Sequence, residues 1–218
     1  MQRLLIFGDS FAVSHDRKQF EYTWPNRLSK NFITQNFAVS GTGPDFALQQ
    51  FLKINNRIHN KDKTSIIFCL SSITRFNFAF FKPEHQIVVN HILQPKIPTK
   101  LQEITNKYWR FKLFIEKFLK DYIYNSTYLE TEIIKIILLL KYLTKDYKKT
   151  IVLPCFDNVT QNLFDFTKSE NFLVYKDALI QYNKVDIDID NRPNHMDEDH
   201  HKKFYNYILT LLRSNNER

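Results

Sequence analysis

Glycine is nearly missing from this chain, with three residues in 218: Gly8, Gly41 and Gly43. So few exclude a glycine-rich phosphate loop, and they confine the backbone's freedom for positive φ to two short stretches. Cysteine is scarcer still. Cys69 and Cys155 each lie in an apolar run, which excludes a disulfide framework and predicts two buried thiols in a reducing, cytoplasmic setting. Long apolar runs are lacking as well. The run after Arg3 stops at Gly8, short of the roughly 7 to 15 residues of a signal-peptide core. Ile133 to Leu143 falls short of the ~20 residues of a membrane span and carries Lys135 and Lys141, so neither a secretory leader nor a span is expected. Internal repeats, Gly/Ser linkers, low-complexity stretches and zinc-finger spacings are also missing. One domain over residues 1–218 is expected, at a length that buries a full core.

What the chain has in excess is positive charge, a formal +8. Between Lys96 and Lys149 twelve basic residues face six acidic ones, so most of the excess lies in one region. Bare charge of this kind reads first as a solvated helical face. Nucleic-acid binding through that region is a weaker alternative, unsupported by an RNA-binding aromatic signature, and it would show affinity falling steeply with salt.

Four apolar runs rich in β-branched or aromatic residues predict strands at Arg3 to Phe7, Ile33 to Val39, Ser65 to Leu70 and Thr150 to Phe156. Helical patterns at Tyr22 to Asn31 and Asp45 to Ile58 alternate with them, which indicates a parallel sheet covered on both faces. A last helix is predicted after Asp197 as cap, with Phe204, Tyr207, Ile208, Leu211 and Leu212 on one face. Phe172 to Tyr175 and Val185 to Ile189 are both candidates for a fifth strand, the second with the better alternation. About 80 residues separate the third and fourth strands, far more than the dozen or so of a minimal crossover, so a helical insertion is expected over about 78–149. Its first part carries Pro83, Pro95 and Pro98 and reads as irregular; Leu101 to Tyr147 reads as two helices around Asn125-Ser126. Its aromatic residues, among them Tyr108, Trp109, Phe111, Phe114 and Phe118, have helical spacing and read first as packing between added helices. A lid over the site or a homodimer interface would fit the same residues.

In open parallel sheets, reactive groups collect beyond the carboxyl ends of the strands. There this chain places Gly8-Asp9-Ser10 after the first strand, Ser40-Gly41-Thr42-Gly43 after the second, and Ser71-Ser72-Ile73-Thr74-Arg75-Phe76-Asn77 after the third. Pro193-Asn194-His195-Met196 precedes the last helix. A serine becomes a useful nucleophile only when a neutral imidazole takes its proton, and Ser10 with His195 would supply that pair.

Gly8-Asp9-Ser10, Asn36-Phe37-Ala38-Val39-Ser40-Gly41 and Asn194-His195-Met196, in this order, resemble the first, second and fifth blocks of the SGNH, or GDSL-like, hydrolases. The resemblance implies a three-layer α/β/α fold, flavodoxin-like in strand order, and a serine esterase that needs no cofactor and no metal. It implies Ser10 as nucleophile and His195 as general base. The backbone N–H groups of Ser10 and Gly41 would form the oxyanion hole, with Gly43 as second choice, and Asp9 would brace the turn. The family's range suggests a small-molecule or carbohydrate ester as substrate, acetyl or another short acyl group included. Acyl transfer to an acceptor other than water would use the same groups.

Two blocks depart from the family pattern. Where the family has Gly-x-Asn-Asp, this chain has Ser71 to Asn77; Arg75, Ser71 and Asn77 are therefore the candidate substrate contacts, and Arg75 would suit a carboxylate or phosphate. The family's acid lies three residues before the histidine, where this chain has Arg192. Asp190 is the first choice for that role, Asp188 the second, and a backbone carbonyl of the Asn191-Arg192-Pro193 turn the third. Asp197 and His200 have the family spacing literally, but His200 falls inside the predicted helix. The cluster of His195, Asp197, Asp199, His200 and His201 is similar to the His-x-His-x-Asp-His metal motif, yet Asp197 replaces its second histidine. A noncatalytic binding or structural protein on the same fold is the alternative from a different class.

Overall fold

Successive side chains of a strand point to opposite faces, so a strand that is apolar throughout must be covered on both sides. The structure, a computed structural model, describes residues 2–13, 21–72, 117, 126–155, 161–177, 179 and 196–214. Among these, β1 (Arg3–Phe7), β2 (Ile33–Asn36), β3 (Thr64–Leu70), β4 (Lys149–Pro154) and β5 (Phe172–Val174) form one parallel sheet in the order β2-β1-β3-β4-β5. The helices are α1 (Trp24–Leu28), α2 (Pro44–Asn55), α3 (Ser126–Leu143), α4 (Gln161–Thr167) and α5 (Glu198–Arg213). This is the three-layer α/β/α arrangement and strand order expected from the sequence. The chain runs outward from β1 to β2, crosses back over β1 to β3 and then runs outward the other way to β4 and β5, so the ends of β1 and β3 flank the topological switch point where ligands of open sheets bind.

The strands divide their side chains between two cores. Leu4, Ile6, Ile67, Cys69, Ile151 and Leu153 pack with Trp24 and Leu28 of α1 and with Phe204, Ile208 and Leu212 of α5. On the other face Leu5, Phe7, Ile66, Phe68 and Val152 meet Phe51 of α2, Ile137 and Leu140 of α3 and Leu163 of α4. Phe7 lies at the centre of that face, stacked on Phe37 and Phe68 at 5.1 Å each and met edge-on by Phe51 at 5.7 Å. Among the described residues no helix is long and apolar enough to cross a membrane.

Helix ends follow their local chemistry. Pro44 opens α2 at a position whose N–H needs no helical partner, and Asp197 caps α5 by accepting from the His200 N–H at 2.8 Å. At the other end of α5, the buried Lys149 donates from Nζ to the Leu211 carbonyl at 2.8 Å and to Ser214 Oγ at 3.0 Å. A cation thus meets carbonyls that the helix leaves unpaired.

Some boundaries are tighter than the sequence suggests. The second strand ends at Asn36 instead of Val39, although Phe37 and Val39 go on donating to the carbonyls of Ile6 and Gly8. The first helix shrinks to five residues, Trp24–Leu28, between the Thr23 and Ser29 caps. Phe172–Val174 is the fifth strand; Val185 to Ile189 lies outside the described residues. Of the expected insertion, the structure describes Lys117 and α3, Ser126–Leu143; residues 73–116 and 118–125 lie outside the described residues.

Gly8 has φ +151°, and a Cβ built on it would lie 2.6 Å from Cys69 Cβ and 2.7 Å from the Cys69 carbonyl oxygen. Gly8→Ala is therefore expected to cost on the order of 3 kcal/mol or more through strain and overpacking. Gly41 has φ +80° but open space around it, so Gly41→Ala should cost only about 1–2 kcal/mol. Urea midpoints of the two variants against wild type check the ranking.

Candidate active site

The closeness of β1 and β3 at Gly8 sets the geometry of the turn that carries Ser10. The chain leaves the sheet in a tight turn in which Ala12 N–H donates to the Asp9 carbonyl at 3.0 Å, with Ser10 near its tip and half-buried. The Asp9 side chain is fully buried, and its Oδ1 accepts from Phe11 N–H at 3.1 Å, the bond by which aspartate stabilises turns. Two more bonds fix the exit from the turn. Trp24 Nε1 donates to the Phe11 carbonyl at 2.9 Å, and Asn36 Nδ2 donates to the Ala12 carbonyl at 2.6 Å.

The loop after β2 folds over the same glycine. The Gly8 carbonyl accepts from Val39 N–H at 2.9 Å and from Thr42 Oγ1 at 3.2 Å; Thr42 Oγ1 also reaches the Val39 carbonyl at 2.8 Å. Gly41 lies in the turn between Val39 and Thr42, and its positive φ is what allows Thr42 to turn back. Gly43 is buried at the N-cap of α2 with an ordinary extended φ of −91°. Among the described residues the N–H groups of Ser10, Gly41 and Gly43 have no hydrogen-bond partner. Three unengaged donors therefore lie at two neighbouring strand ends.

Beneath Asp9 is a group that sequence reasoning missed. Cys155 Sγ donates to Asp9 Oδ1 at 3.6 Å, and both residues are fully buried. Burial pushes the Cys155 thiol well above its ordinary value, helped by the hydrogen bond with Cys69 and the charge of Asp9. The thiol stays protonated and keeps a hydrogen to give to Asp9. The one signal in the sequence is that both cysteines fall at strand ends on the side where the chemistry gathers. Trp24 and Asn36, which hold the turn, stand in the sequence only as an apolar helix residue and as part of a sequence block.

On the α5 side, Trp24 N–H donates to His201 Nδ1 at 3.3 Å, and Tyr22 meets the His201 ring edge-on at 5.4 Å. His200 Nδ1 and Asp197 Oδ1 are 2.6 Å apart in the first turn of α5, so that pair is internal to the helix terminus. Met196 is buried in the core that also holds Phe11 and Cys155. Ser71 is buried at the end of β3. His195, Asp190, Asp188, Arg75 and Asn77 lie outside the described residues, as do Thr74 and the aromatic set from Tyr108 to Phe118.

No family model and no curated protein matches the chain by sequence. A member of the lipolytic protein G-D-S-L family from Veillonella parvula matches it as a structure, with a TM-score of 0.51 over 95% of this chain and 96% of that one at 12% identity. This chain has the fold of the G-D-S-L lipolytic proteins. The psychrotrophic esterase EstA from a Pseudoalteromonas species, in a structure inhibited by monoethylphosphonate, gives a TM-score of 0.49 at 10% identity, covering 98% of each chain. On the G-D-S-L fold seen here, Gly8, Asp9 and Ser10 occupy the end of the first strand, beside the switch point.

The raised Cys155 thiol has a consequence for stability. Below the ordinary thiol value of about 8.5 the folded and unfolded thiols are both neutral. Above it the unfolded thiol ionises while the buried one does not, so stability is lost as pH rises. Cys155→Ser retains a donor for Asp9 but removes this titration. Between about pH 8 and 10 its denaturant midpoint is expected to fall less than that of wild type; equal slopes would show that burial does not hold the thiol neutral.

Proposed function

We propose that the protein is a serine esterase that hydrolyses an ester-linked acyl group through an acyl-enzyme on Ser10. The observation that carries this reading is the pairing of Ser10, near the tip of a braced turn at the switch point, with unengaged N–H groups at Ser10 and Gly41. In this reading Ser10 Oγ attacks the ester carbonyl as His195 takes its proton. The negative charge that develops on the carbonyl oxygen is met by the Ser10 and Gly41 N–H groups, with the Gly43 N–H next to them in the same loop. His195 then returns the proton to the departing alcohol, and a water activated by the same imidazole releases the acid. Asp190 orients the imidazole. Asp9, held by Phe11 N–H and Cys155, supports the turn and takes no part in proton transfer.

The fold of a lipolytic protein supports this reading, as do three sequence blocks in the family's order. An esterase of this kind requires no cofactor, and its partner is a small-molecule or carbohydrate ester.

The test is turnover of an activated short-chain ester together with covalent labelling by a fluorophosphonate. Wild type is expected to do both. Ser10→Ala should lose labelling entirely and turnover by at least about 1,000-fold, and His195→Ala should lose comparable turnover. The wild-type rate should decline as pH falls through about 6.5, where an imidazole base becomes protonated. Absence of both signals in folded wild type would leave a binding protein on a hydrolase fold.

A further inference from the structure

Helix α1 begins with Trp24, whose N–H, like those of any first helical turn, has no partner within the helix. Thr23 at the cap supplies no side-chain acceptor to it. The acceptor comes instead from α5: Trp24 N–H donates to His201 Nδ1 at 3.3 Å, in the interior, with Trp24 0% and His201 7% exposed. A backbone N–H can only donate, so His201 Nδ1 carries no hydrogen and the imidazole has its proton on Nε2. Phe204, on the same buried face of α5, meets the Trp24 ring edge-on at 5.7 Å. Trp24 passes the contact on. Its Nε1 donates to the Phe11 carbonyl at 2.9 Å, and Phe11 follows Ser10. The residue after the nucleophile is thus held at its N–H by Asp9 and at its carbonyl by Trp24, while Trp24 is held by His201 and Phe204.

The same helix adjoins the base of the esterase reading. α5 starts at Glu198 behind the Asp197 cap, and Met196 before the cap is buried in the core that holds Phe11, Trp24 and Phe204. His195 directly precedes Met196. Proton transfer needs the base within about 2.6–3.2 Å of the serine oxygen, yet the two groups come from opposite ends of the chain. A misplacement of about 1 Å costs on the order of 100-fold in rate. Packing of Phe204, Ile208 and Leu212 decides which face of α5 meets the sheet, but apolar contacts are non-directional. A hydrogen bond has a preferred length and line, so it can fix the helix along its axis. α5 is tied to the α1 region at other points, by Arg27 with Glu198 at 3.3 Å and by Asn31 Nδ2 with the Tyr205 hydroxyl at 2.8 Å. The first is an exposed pair of little weight, and neither continues to Phe11.

We infer that His201 is a positioning residue for the reaction: through Trp24 it clamps the start of α5, and with it the segment that carries His195, against the turn that carries Ser10. The inference rests on the esterase reading and adds to it a residue that acts on geometry alone. The His201 ring is buried and its Nδ1 is engaged by Trp24, so it serves as an acceptor of fixed direction and not as a second base.

The experiment uses the full chain, with p-nitrophenyl acetate turnover, the rate of fluorophosphonate labelling and the thermal midpoint measured on every variant, the kinetics well below the lowest midpoint. His201→Phe keeps a ring but removes the acceptor; it is expected to lower kcat and the labelling rate about 10- to 100-fold, with KM within about twofold of wild type. His201→Asn offers Oδ1 close to the place of Nδ1 and should recover kcat to within about threefold of wild type, although it fills the site less well. Activity is then expected to follow the acceptor and not the thermal midpoint, which a merely structural role would not produce. Trp24→Phe keeps the N–H that meets His201 but removes the bond to Phe11. Its kcat should fall as far as that of His201→Phe, and combining the two should cost little more, because they act in series. Three results overturn the clamp while the esterase reading stands: folded His201→Phe with wild-type kcat and labelling, His201→Asn as slow as His201→Phe, or losses that multiply in the double variant. If wild type neither labels nor turns over ester, the esterase reading falls and takes this inference with it.

Discussion

The contact between Gly8 and Cys69 is the constraint on which the site depends. Two central strands come so close at their carboxyl ends that the space between them excludes a methyl group. That approach lets the Gly8 carbonyl face outward to Val39 and Thr42, which draws the loop after β2 across the end of β1. It also starts the turn at a defined point, so that Asp9 is driven inward onto Cys155 and Ser10 is left half-buried. A single missing Cβ thus coordinates three segments remote in sequence.

Polar groups buried under the turn are arranged as a connected set. Asp9 holds Phe11 N–H and the Cys155 thiol, Phe11 and Ala12 give their carbonyls to Trp24 and Asn36, and Trp24 reaches on to His201 in α5. Networks of this kind rigidify when every member is satisfied, and a nucleophile held on a rigid turn wastes little binding energy on ordering itself. The sheet supplies the platform, while the side-chain bonds supply the aim.

Much of this architecture was legible because buried parallel strands are apolar on both faces. Arg3 to Phe7, Ser65 to Leu70 and the start of β4 stand out for that reason. β2 was harder to delimit. It is an edge strand with half its residues exposed, and its backbone keeps bonding to β1 after strand geometry ends. β5 spans three residues, too few for alternation to register, whereas Val185 to Ile189 alternates well and lies outside the described residues. Of the candidate site, the glycines and Ser10 were readable since so few glycines exist to be placed. The bond from Cys155 to Asp9 was not, because it joins residues 146 apart through a packing geometry that no local pattern encodes.

The bond from Trp24 to His201 spans 177 residues, and it bears on how the molecule is made. Of the described elements β1 leaves the ribosome first, yet its inner face is covered by α5, which emerges last. Contacts of such separation are slow to form, and an incomplete chain exposes the surfaces they would cover. The Ser10 turn is therefore unfinished while the elements between are made, and it acquires its bracing only when α5 docks. A nascent chain carries the serine long before it carries the setting that would make the serine reactive.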